Sequence, residues 1–130
     1  MSEKKEEKKV FSLALSSPIL SYTGEQIKLY DSEDSKPRKG TVRDYLLILL
    51  NSNLPTKQEK ESFIIRELGC QIADEGVNEV QISVARISLL QNWVRKNEAR
   101  NAMTGQMVKI FPANIHAQLM QAVGITSEDV

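Results

Sequence analysis

One histidine, one cysteine and a series of carboxylates are the side chains of this chain that could carry out chemistry. Cys70 and His116 could form a nucleophile and its base, and two neighbouring carboxylates could act as general acid and base. A metal site would need several ligands at suitable spacing, and no cysteine or second histidine lies near His116 in the sequence. The acidic side chains that lie close together in the sequence are Glu59, Glu61, Glu67, Asp74, Glu75 and Glu79.

The positions of these residues favour structural roles over catalytic ones. Cys70 falls on a predicted helix among apolar neighbours, which predicts a buried, inert thiol. His116 is predicted to be a helix histidine that is either hydrogen-bonded or on the surface, and the carboxylates are predicted to cap and solubilise one helix and its exit. Gly105 is not followed by the Gly-Lys-Ser/Thr sequence of a phosphate loop. We therefore predict no catalytic, cofactor-binding or metal-binding residue, no small-molecule substrate and no enzymatic activity.

The length and charge of the chain place limits on its function. At 130 residues it can form one domain with a modest core. Seventeen basic and seventeen acidic residues cancel, so no overall field attracts nucleic acid or an anionic membrane. No apolar run approaches the roughly 20 residues that span a bilayer, and the charged residues 1–9 do not lead into a signal-peptide core. With a single cysteine no intramolecular disulfide can form, and the sequence predicts a cytoplasmic protein without membrane contact.

Two helices with a short extended spacer between them form the centre of the predicted fold. Thr56 and Glu59 fit a capping box at the start of the first helix. Gly76 supplies a stop, and the β-branched residues 77–82 predict an extended spacer. Ser83 can cap the second helix, which is predicted to span Ser83–Asn97. The apolar positions that recur at helical spacing are Ile64, Leu68 and Ile72 in the first helix and Val84, Ile87, Leu90 and Val94 in the second.

The N-terminal part of the chain has the pattern of short strands. Residues 10–15 alternate between large apolar and small side chains, as a half-buried strand does. Residues 19–22 and 26–31 are predicted to form a hairpin, because Gly24 can adopt the positive φ of a tight turn. The polar residues 32–39 include a proline and are predicted to be an exposed loop.

A short helix is predicted from Thr41 to Leu50. Thr41 can act as its cap, and Asp44 lies at the third helical position, where a carboxylate suits the helix dipole. The helix is apolar on nearly all sides, which is typical of a helix that is central to a core or buried in a partner.

The C-terminal part of the chain predicts a loop followed by a last helix. Residues 98–106 show no periodicity, residues 107–111 could be a short strand or an extended segment, and Pro112 suits the first turn of a helix. The whole pattern predicts an α+β fold, with an N-terminal β-hairpin or small antiparallel sheet packed on three to four helices. The predicted divisions are a disordered charged tail, a single domain and a C-terminal tail, at residues 1–9, 10–124 and 125–130.

Several apolar side chains are candidates for contact with another protein. Trp93 and Leu89 lie on a helical row offset from the main apolar row, so Trp93 can be either a core residue or an interface anchor. Met103 and Met107 flank the predicted loop nearby. The predicted interface residues are Tyr45, Leu47, Ile48, Leu89, Trp93, Met103 and Met107.

A small DNA-binding regulator is the alternative function that the pattern allows. In that reading residues 57–97 form a helix-turn-helix-like pair, and the second helix contacts DNA. The segment between the two helices, residues 75–83, is longer than the three to four residues of such a turn. The polar side chains that the second helix could offer are Arg86, Gln91, Asn92, Arg95 and Lys96, without dense basic clustering.

The order of these elements resembles small proteins of tailed bacteriophages and prophages that have no assigned function. In the N-terminal half the resemblance lies in residues 22–27 (Tyr-Thr-Gly-Glu-Gln-Ile) and 41–46 (Thr-Val-Arg-Asp-Tyr-Leu). It continues in residues 71–73 (Gln-Ile-Ala), 80–83 (Val-Gln-Ile-Ser) and 115–120 (Ile-His-Ala-Gln-Leu-Met). Every one of these motifs is a folding signal, so the resemblance carries no catalytic residue onto this chain.

What the resemblance implies is a phage context. It predicts a non-enzymatic protein that acts through protein–protein contacts in virion or tail assembly, with itself or a phage structural protein as partner. The expected location is the cytoplasm of the bacterial host, with possible incorporation in the virion. An inhibitor of a host protein is a third, weaker hypothesis.

Overall fold

The computed structural model of the protein describes residues 10–29 and 38–129. The described residues form four α-helices, three two-stranded antiparallel sheets and a short 3-10 helix. This confirms the predicted α+β class. In chain order the elements are β1 (Val10–Ala14), β2 (Lys28–Leu29), β3 (Arg38–Lys39), α1 (Val42–Asn51), α2 (Glu59–Ala73), β4 (Glu79–Ser83), α3 (Val84–Lys96), β5 (Glu98–Arg100), β6 (Met107–Lys109), α4 (Ala113–Ala122) and the 3-10 helix (Ser127–Asp129). The predicted tail at residues 1–9 and most of the predicted loop at residues 32–39 lie outside the described residues.

The first sheet joins two strands that are far apart in the sequence. β1 pairs antiparallel with β4, which is the predicted extended spacer, and Leu13 lies opposite Val80. Both of these side chains are buried, whereas Ser12 and Gln81 lie on the outer face and share a hydrogen bond of 3.0 Å. The alternation of buried and exposed side chains therefore fixes the register of this pair.

The predicted hairpin around Gly24 is confirmed, although it is shorter than the sequence indicated. Leu20 and Gln26 form an antiparallel bridge, and Gly24 has a φ of +90°. β2 then leaves this hairpin and pairs with β3, so Arg38 and Lys39 belong to a strand instead of the predicted loop.

The predicted start of α1 is also confirmed. Thr41 is the N-cap, and its backbone N–H donates to the carboxylate of Asp44 over 2.9 Å. The Thr41 hydroxyl donates to the same oxygen over 3.1 Å. The carboxylate thus occupies the first turn, where the helix dipole favours negative charge.

The predicted start of α2 is wrong by about half a turn. The helix begins at Glu59 with Gln58 as its N-cap, so Thr56 and Glu59 do not form the predicted capping box. Leu54 is buried, and the carbonyl of Asn53 accepts from the backbone N–H of Arg100 over 2.9 Å. The burial of Leu54 and the hydrogen bond of Asn53 are made by residues of this connection, which stays non-helical until α2 begins.

The last helix ends in a turn that belongs to the domain and not to a tail. The N–H groups of Gly124 and Ile125 donate to the carbonyls of Gln121 and Met120 over 3.0 and 2.8 Å, which is the Schellman pattern. Gly124 has a φ of +90°, and Ile125 is buried. The predicted C-terminal tail therefore begins after Ile125.

Arg43 holds three parts of the fold together. Its guanidinium donates hydrogen bonds to the carbonyls of Ile72 (2.8 Å), Asp74 (3.1 Å) and Val77, which lie at the end of α2 and in the turn towards β4. Its backbone N–H donates to the carbonyl of Leu15 over 3.1 Å. A positive charge at a helix C-terminus also interacts favourably with the helix dipole. Arg43 thereby links α1 to the exit of α2 and to the end of β1.

We expect Arg43→Met to lower the free energy of unfolding by about 2 kcal/mol, because three carbonyls lose a charged donor and only partly exchange it for water. Denaturant unfolding followed by the fluorescence of the single, buried Trp93 measures this loss. Arg95→Met, at an exposed position of α3, is the matched control and should change the stability by less than about 0.5 kcal/mol. Equal losses in the two variants would contradict the role of Arg43.

Candidate protein-interaction surface

The carboxylates that could have formed a catalytic pair are distributed around α2 and its exit. Glu67 pairs with Arg86 of α3 at the surface, and the Asp74 carboxylate accepts from the backbone N–H of Gly76 over 3.0 Å. Glu61 is buried in the first turn of α2, where the helix dipole favours a negative charge. Within residues 10–29 and 38–129 no three His, Cys, Asp or Glu side chains are grouped so that they could hold a metal ion.

His116 and Cys70 have different environments. The Nε2 atom of His116 lies 2.8 Å from the carbonyl oxygen of Val94, so the side chain is hydrogen-bonded, as predicted. The prediction of a buried thiol is wrong, because Cys70 is exposed. Leu68 and Ile72 face the core, and a residue two positions from each of them is rotated by about 200° around the helix. Cys70 therefore points away from the core.

Two of the predicted interface residues are core residues. Trp93 is 1% exposed, and Tyr45 is 3% exposed. The ring of Tyr45 contacts Phe111 edge to face with centroids 5.8 Å apart, and it packs so closely on Gly40 that a Cβ there would lie 2.7 Å from the Tyr45 ring. The apolar helix faces that were predicted to contact a partner are thus mostly buried in the core of this chain.

Of the remaining helical candidates, only Leu47 lines a groove between α1 and α2. Ile48 is 41% exposed, whereas Leu47 on α1 and Leu89 on α3 are half-buried. The groove has a volume of about 420 Å³, and its lining residues are Leu47, Leu50, Asn51, Ser62, Ile65, Arg66, Gly69 and Ala73. Leu89 does not line it.

The predicted loop after α3 is a β-hairpin, so the prediction for residues 98–106 is wrong at its beginning. β5 pairs antiparallel with β6, and Ala99 lies opposite Val108. The triplet Glu-Ala-Arg of β5 is too short to predict a strand, and it contains no β-branched or aromatic residue. The signal that could have revealed it is Asn97, a residue type that tolerates the left-handed conformation that ends α3.

Asn97 fixes the base of this hairpin. It has a φ of 51°, is buried, and clasps Phe111 through two hydrogen bonds: Nδ2 donates to the Phe111 carbonyl over 2.8 Å, and Oδ1 accepts from the Phe111 N–H over 2.9 Å. Its carbonyl also accepts from the N–H of Ile110 over 3.0 Å. The side-chain amide of Asn97 thus pairs with Phe111 as a peptide group of a neighbouring strand would. It continues the hydrogen-bond ladder between β5 and β6 beyond the hairpin and fixes the base of the hairpin.

The tip of the hairpin is held by its own hydrogen bonds. The Arg100 guanidinium donates to the carbonyl of Gly105 over 2.7 Å, and Oδ1 of Asn101 accepts from the N–H groups of Met103 and Thr104 over 2.8 and 3.1 Å. Met103 is nevertheless 95% exposed. A structured turn therefore presents a large apolar side chain directly to solvent.

Two further apolar side chains extend this surface along β6. Met107 is 37% exposed and Val108 is 44% exposed. Met107 and Val108 lie on opposite faces of the strand. Met103 and Met107 give the hairpin two exposed methionines, a residue type that adapts to the shape of a partner. We call residues 98–109 the contact hairpin. The sequence identified Met103, which it placed on a loop, and Met107, which it placed at the start of a possible short strand, but it did not identify Val108.

Opposite charges are concentrated in different parts of the sequence. Residues 59–83 contain six acidic and two basic side chains, whereas residues 84–126 contain five Lys or Arg and one Glu. That single glutamate, Glu98, lies 3.9 Å from Lys109 across the contact hairpin. The contact hairpin therefore lies in the basic part of the chain, although the formal net charge of the protein is zero.

The geometry of a helix-turn-helix is not found between α2 and α3. The two helices are separated by β4, which is committed to pairing with β1, whereas such motifs join their helices by a turn of three to four residues. Of the helices in the described part of the chain, none is both long enough and apolar enough to cross a membrane.

Comparison of the chain with protein-family models, with curated proteins and with solved structures gives no significant match.

Removing the Asn97 side chain should destabilise the fold, because this buried side chain makes two hydrogen bonds to the backbone of Phe111. We expect Asn97→Ala to lower the free energy of unfolding by about 3 kcal/mol, because the buried N–H and carbonyl of Phe111 lose their partners. Asn97→Gly keeps the left-handed backbone accessible, so it should recover part of this loss, about 1 kcal/mol. Asn92→Ala, at an exposed position of α3, is the control. The account is contradicted if Asn97→Ala and Asn92→Ala unfold at the same denaturant concentration.

The buried phenol of Tyr45 should make the protein sensitive to alkaline pH. Burial raises the pKa of Tyr45 above the ordinary tyrosine value of about 10, and the neighbouring Asp44 carboxylate raises it further. A raised pKa in the folded state means that this contribution to stability is complete below about pH 10 and is lost as the pH rises through the folded-state pKa. Measured between pH 9 and 11, the stability of Tyr45→Phe should therefore decline less steeply than that of the wild type. Parallel curves would show that Tyr45 ionises equally easily in both states.

Proposed function

We propose that this chain is a non-enzymatic phage or prophage protein that acts through protein–protein contacts in virion or tail assembly. The phage context comes from the resemblance of its motifs to small phage proteins. The partner in this proposal is a phage structural protein or a second copy of the chain, and the place of action is the cytoplasm of the bacterial host, with possible incorporation in the virion. Neither a cofactor nor a small-molecule substrate is part of the proposal.

The exposure of Met103 is the observation that carries this proposal. Leaving a methionine side chain in water forgoes roughly 1.5 to 3 kcal/mol of burial energy. In a disordered loop the exposure of a methionine would carry little information. The contact hairpin, however, is ordered by the hydrogen bonds of Arg100, Asn101 and Asn97. Because the backbone that carries Met103 is already held in place, binding has to order little more than one adaptable side chain, which favours an interface anchor.

The contact hairpin supports a protein partner better than duplex DNA. On one face it combines Met107 with the basic side chains Arg100 and Lys109, Val108 is exposed on the other face, and Met103 lies at the tip. Methionine and arginine are enriched at protein interfaces, whereas affinity for DNA depends mainly on many phosphate contacts. The expected partner surface is an apolar depression with acidic residues at its rim.

A photo-crosslinking amino acid such as benzoylphenylalanine at position 103 tests this function directly. In cells that make the phage structural proteins, we expect irradiation to give a discrete adduct with one protein partner. The matched control is the same substitution at Tyr22, which is 85% exposed at the tip of the other hairpin and lies outside the proposed surface.

A yield at least about tenfold higher at position 103 than at position 22 would support the proposal, and the mass of the adduct would identify the partner. Equal yields at the two positions, or no adduct at position 103, would contradict it. A partner that is an enzyme of the host, with no phage protein in the adduct, would overturn the assembly role and favour inhibition.

A further inference from the structure

The outer edge of β4 has peptide groups without a partner. In the first sheet the N–H of Leu15 donates to the carbonyl of Asn78 over 2.9 Å, so these two residues form a directly bonded pair. Bonded and non-bonded pairs alternate along an antiparallel ladder. The N–H and C=O groups of Glu79 and Gln81 therefore point away from β1, and within the described residues they make no other hydrogen bond.

The outer edge of β6 has the same property. The N–H of Ile110 donates to the carbonyl of Asn97 over 3.0 Å, and the N–H of Asn101 donates to the carbonyl of Gln106 over 2.8 Å. The same alternation turns the peptide groups of Met107 and Lys109 away from β5. They too have no hydrogen-bond partner in the part of the chain that the structure describes.

The two edges differ in charge. Beside β4 lies an open cleft of about 390 Å³ with acidic and apolar lining, formed by Gln71, Asp74, Val77, Glu79, Val80 and Gln81. Beside β6 lie the basic side chains of Arg100 and Lys109, which are on the same face of the hairpin as Met107. The edge of one sheet is thus acidic and has a cleft, and the edge of the other is basic and carries Met107.

We propose that copies of this chain associate head to tail, with β6 of one copy adding to β4 of the next. The unpaired peptide groups would then form a continuous ladder across the two copies. The cleft beside β4 would receive apolar side chains of the contact hairpin, and its carboxylates would lie near Lys109. This inference rests on the proposed function, since it names a second copy of the chain as one of the assembly partners.

The contact is heterologous, because each copy uses two different edges. After one contact has formed, the pair still has a free β4 and a free β6, so association continues to a closed ring or an open filament. The edge of β1 is a poorer acceptor, because the outward residues Val10, Ser12 and Ala14 have no charge that attracts a basic hairpin.

Two proline variants block the two edges separately. Glu79→Pro and Lys109→Pro each remove one outward N–H and one charge, and neither removes a hydrogen bond of the existing ladders. Trp93 fluorescence during thermal unfolding shows whether each variant is folded. If a proline variant does not fold, the charge reversals Glu79→Lys and Lys109→Glu replace it, with Lys60→Glu on the exposed face of α2 as the control.

Sedimentation velocity of the wild type over roughly 1 to 300 µM should show a mass that rises with concentration and continues beyond a dimer. Association should weaken when salt is raised from about 20 to about 500 mM, because the attraction between the edges is screened. Each proline variant alone should stay monomeric, and an equimolar mixture should form a dimer that grows no further. Each charge reversal should raise the dissociation constant at least about tenfold, and Lys60→Glu should leave it unchanged.

Three outcomes would overturn the inference: a wild type that stays monomeric at low salt, a mixture of the proline variants that stays monomeric, or a wild-type dimer that Glu79→Pro does not affect. The last outcome would indicate a symmetric contact elsewhere, including the edge of β1. A monomeric wild type that is still crosslinked through position 103 to another protein would refute head-to-tail association and leave the proposed function standing. A wild type that stays monomeric and gives no adduct at position 103 would refute both the head-to-tail association and the proposed function.

Discussion

Backbone polar groups at irregular junctions must find hydrogen-bond partners, and this requirement determines how the short elements of the fold are held together. Each sheet has two strands, so the ladders satisfy few of these groups, and side chains supply the remainder. Arg43 donates to the carbonyls at the exit of α2, and Asn97 clasps the peptide groups of Phe111. Gln118 does the same for Leu20, accepting from its N–H over 2.8 Å and donating to its carbonyl over 2.7 Å. An unpaired buried peptide group costs about 1 to 3 kcal/mol, so these few side chains hold the short elements in one arrangement.

The same constraint explains why the contact hairpin can be both short and ordered. An isolated two-stranded hairpin is at best marginally stable in water. Here the Asn97 side chain extends the ladder at the base, and Asn101 and Arg100 close it at the tip. The structure therefore keeps an apolar side chain in solvent without giving it freedom to collapse onto the core. The proposed association depends on two of the unpaired edges, those of β4 and β6, and their opposite charges distinguish one edge from the other.

The sequence predicted most elements whose signals are local, including β1 and β4 as extended segments, although the local capping box at Thr56 did not form. It did not predict the pairings with distant partners. Thr41 and Asp44 start α1, Ser83 accepts from the N–H of Arg86 over 3.3 Å to start α3, and Gly24 turns the first hairpin, because each acts on residues within one turn. The pairing of β1 with β4 joins segments more than sixty residues apart. The extended conformation of β5 depends on its pairing with β6 and on hydrogen bonds that involve Asn53 and Asn97. Residue type alone could not separate core from surface among the candidate contact residues. Trp93 and Met103 are both apolar, yet Trp93 is buried and Met103 is exposed at the tip of a hairpin.

The central claim is that the contact hairpin is an ordered element with an unused outer edge. Residue-resolved amide hydrogen exchange of the dilute protein tests this claim most directly. The account predicts slow exchange for the inward amides of Asn101 and Ile110, fast exchange for the outward amides of Met107 and Lys109, and protection of the outward pair once a partner is bound. Exchange at the rate of a free chain for all four amides would show that the hairpin is not formed in solution, and it would contradict the account.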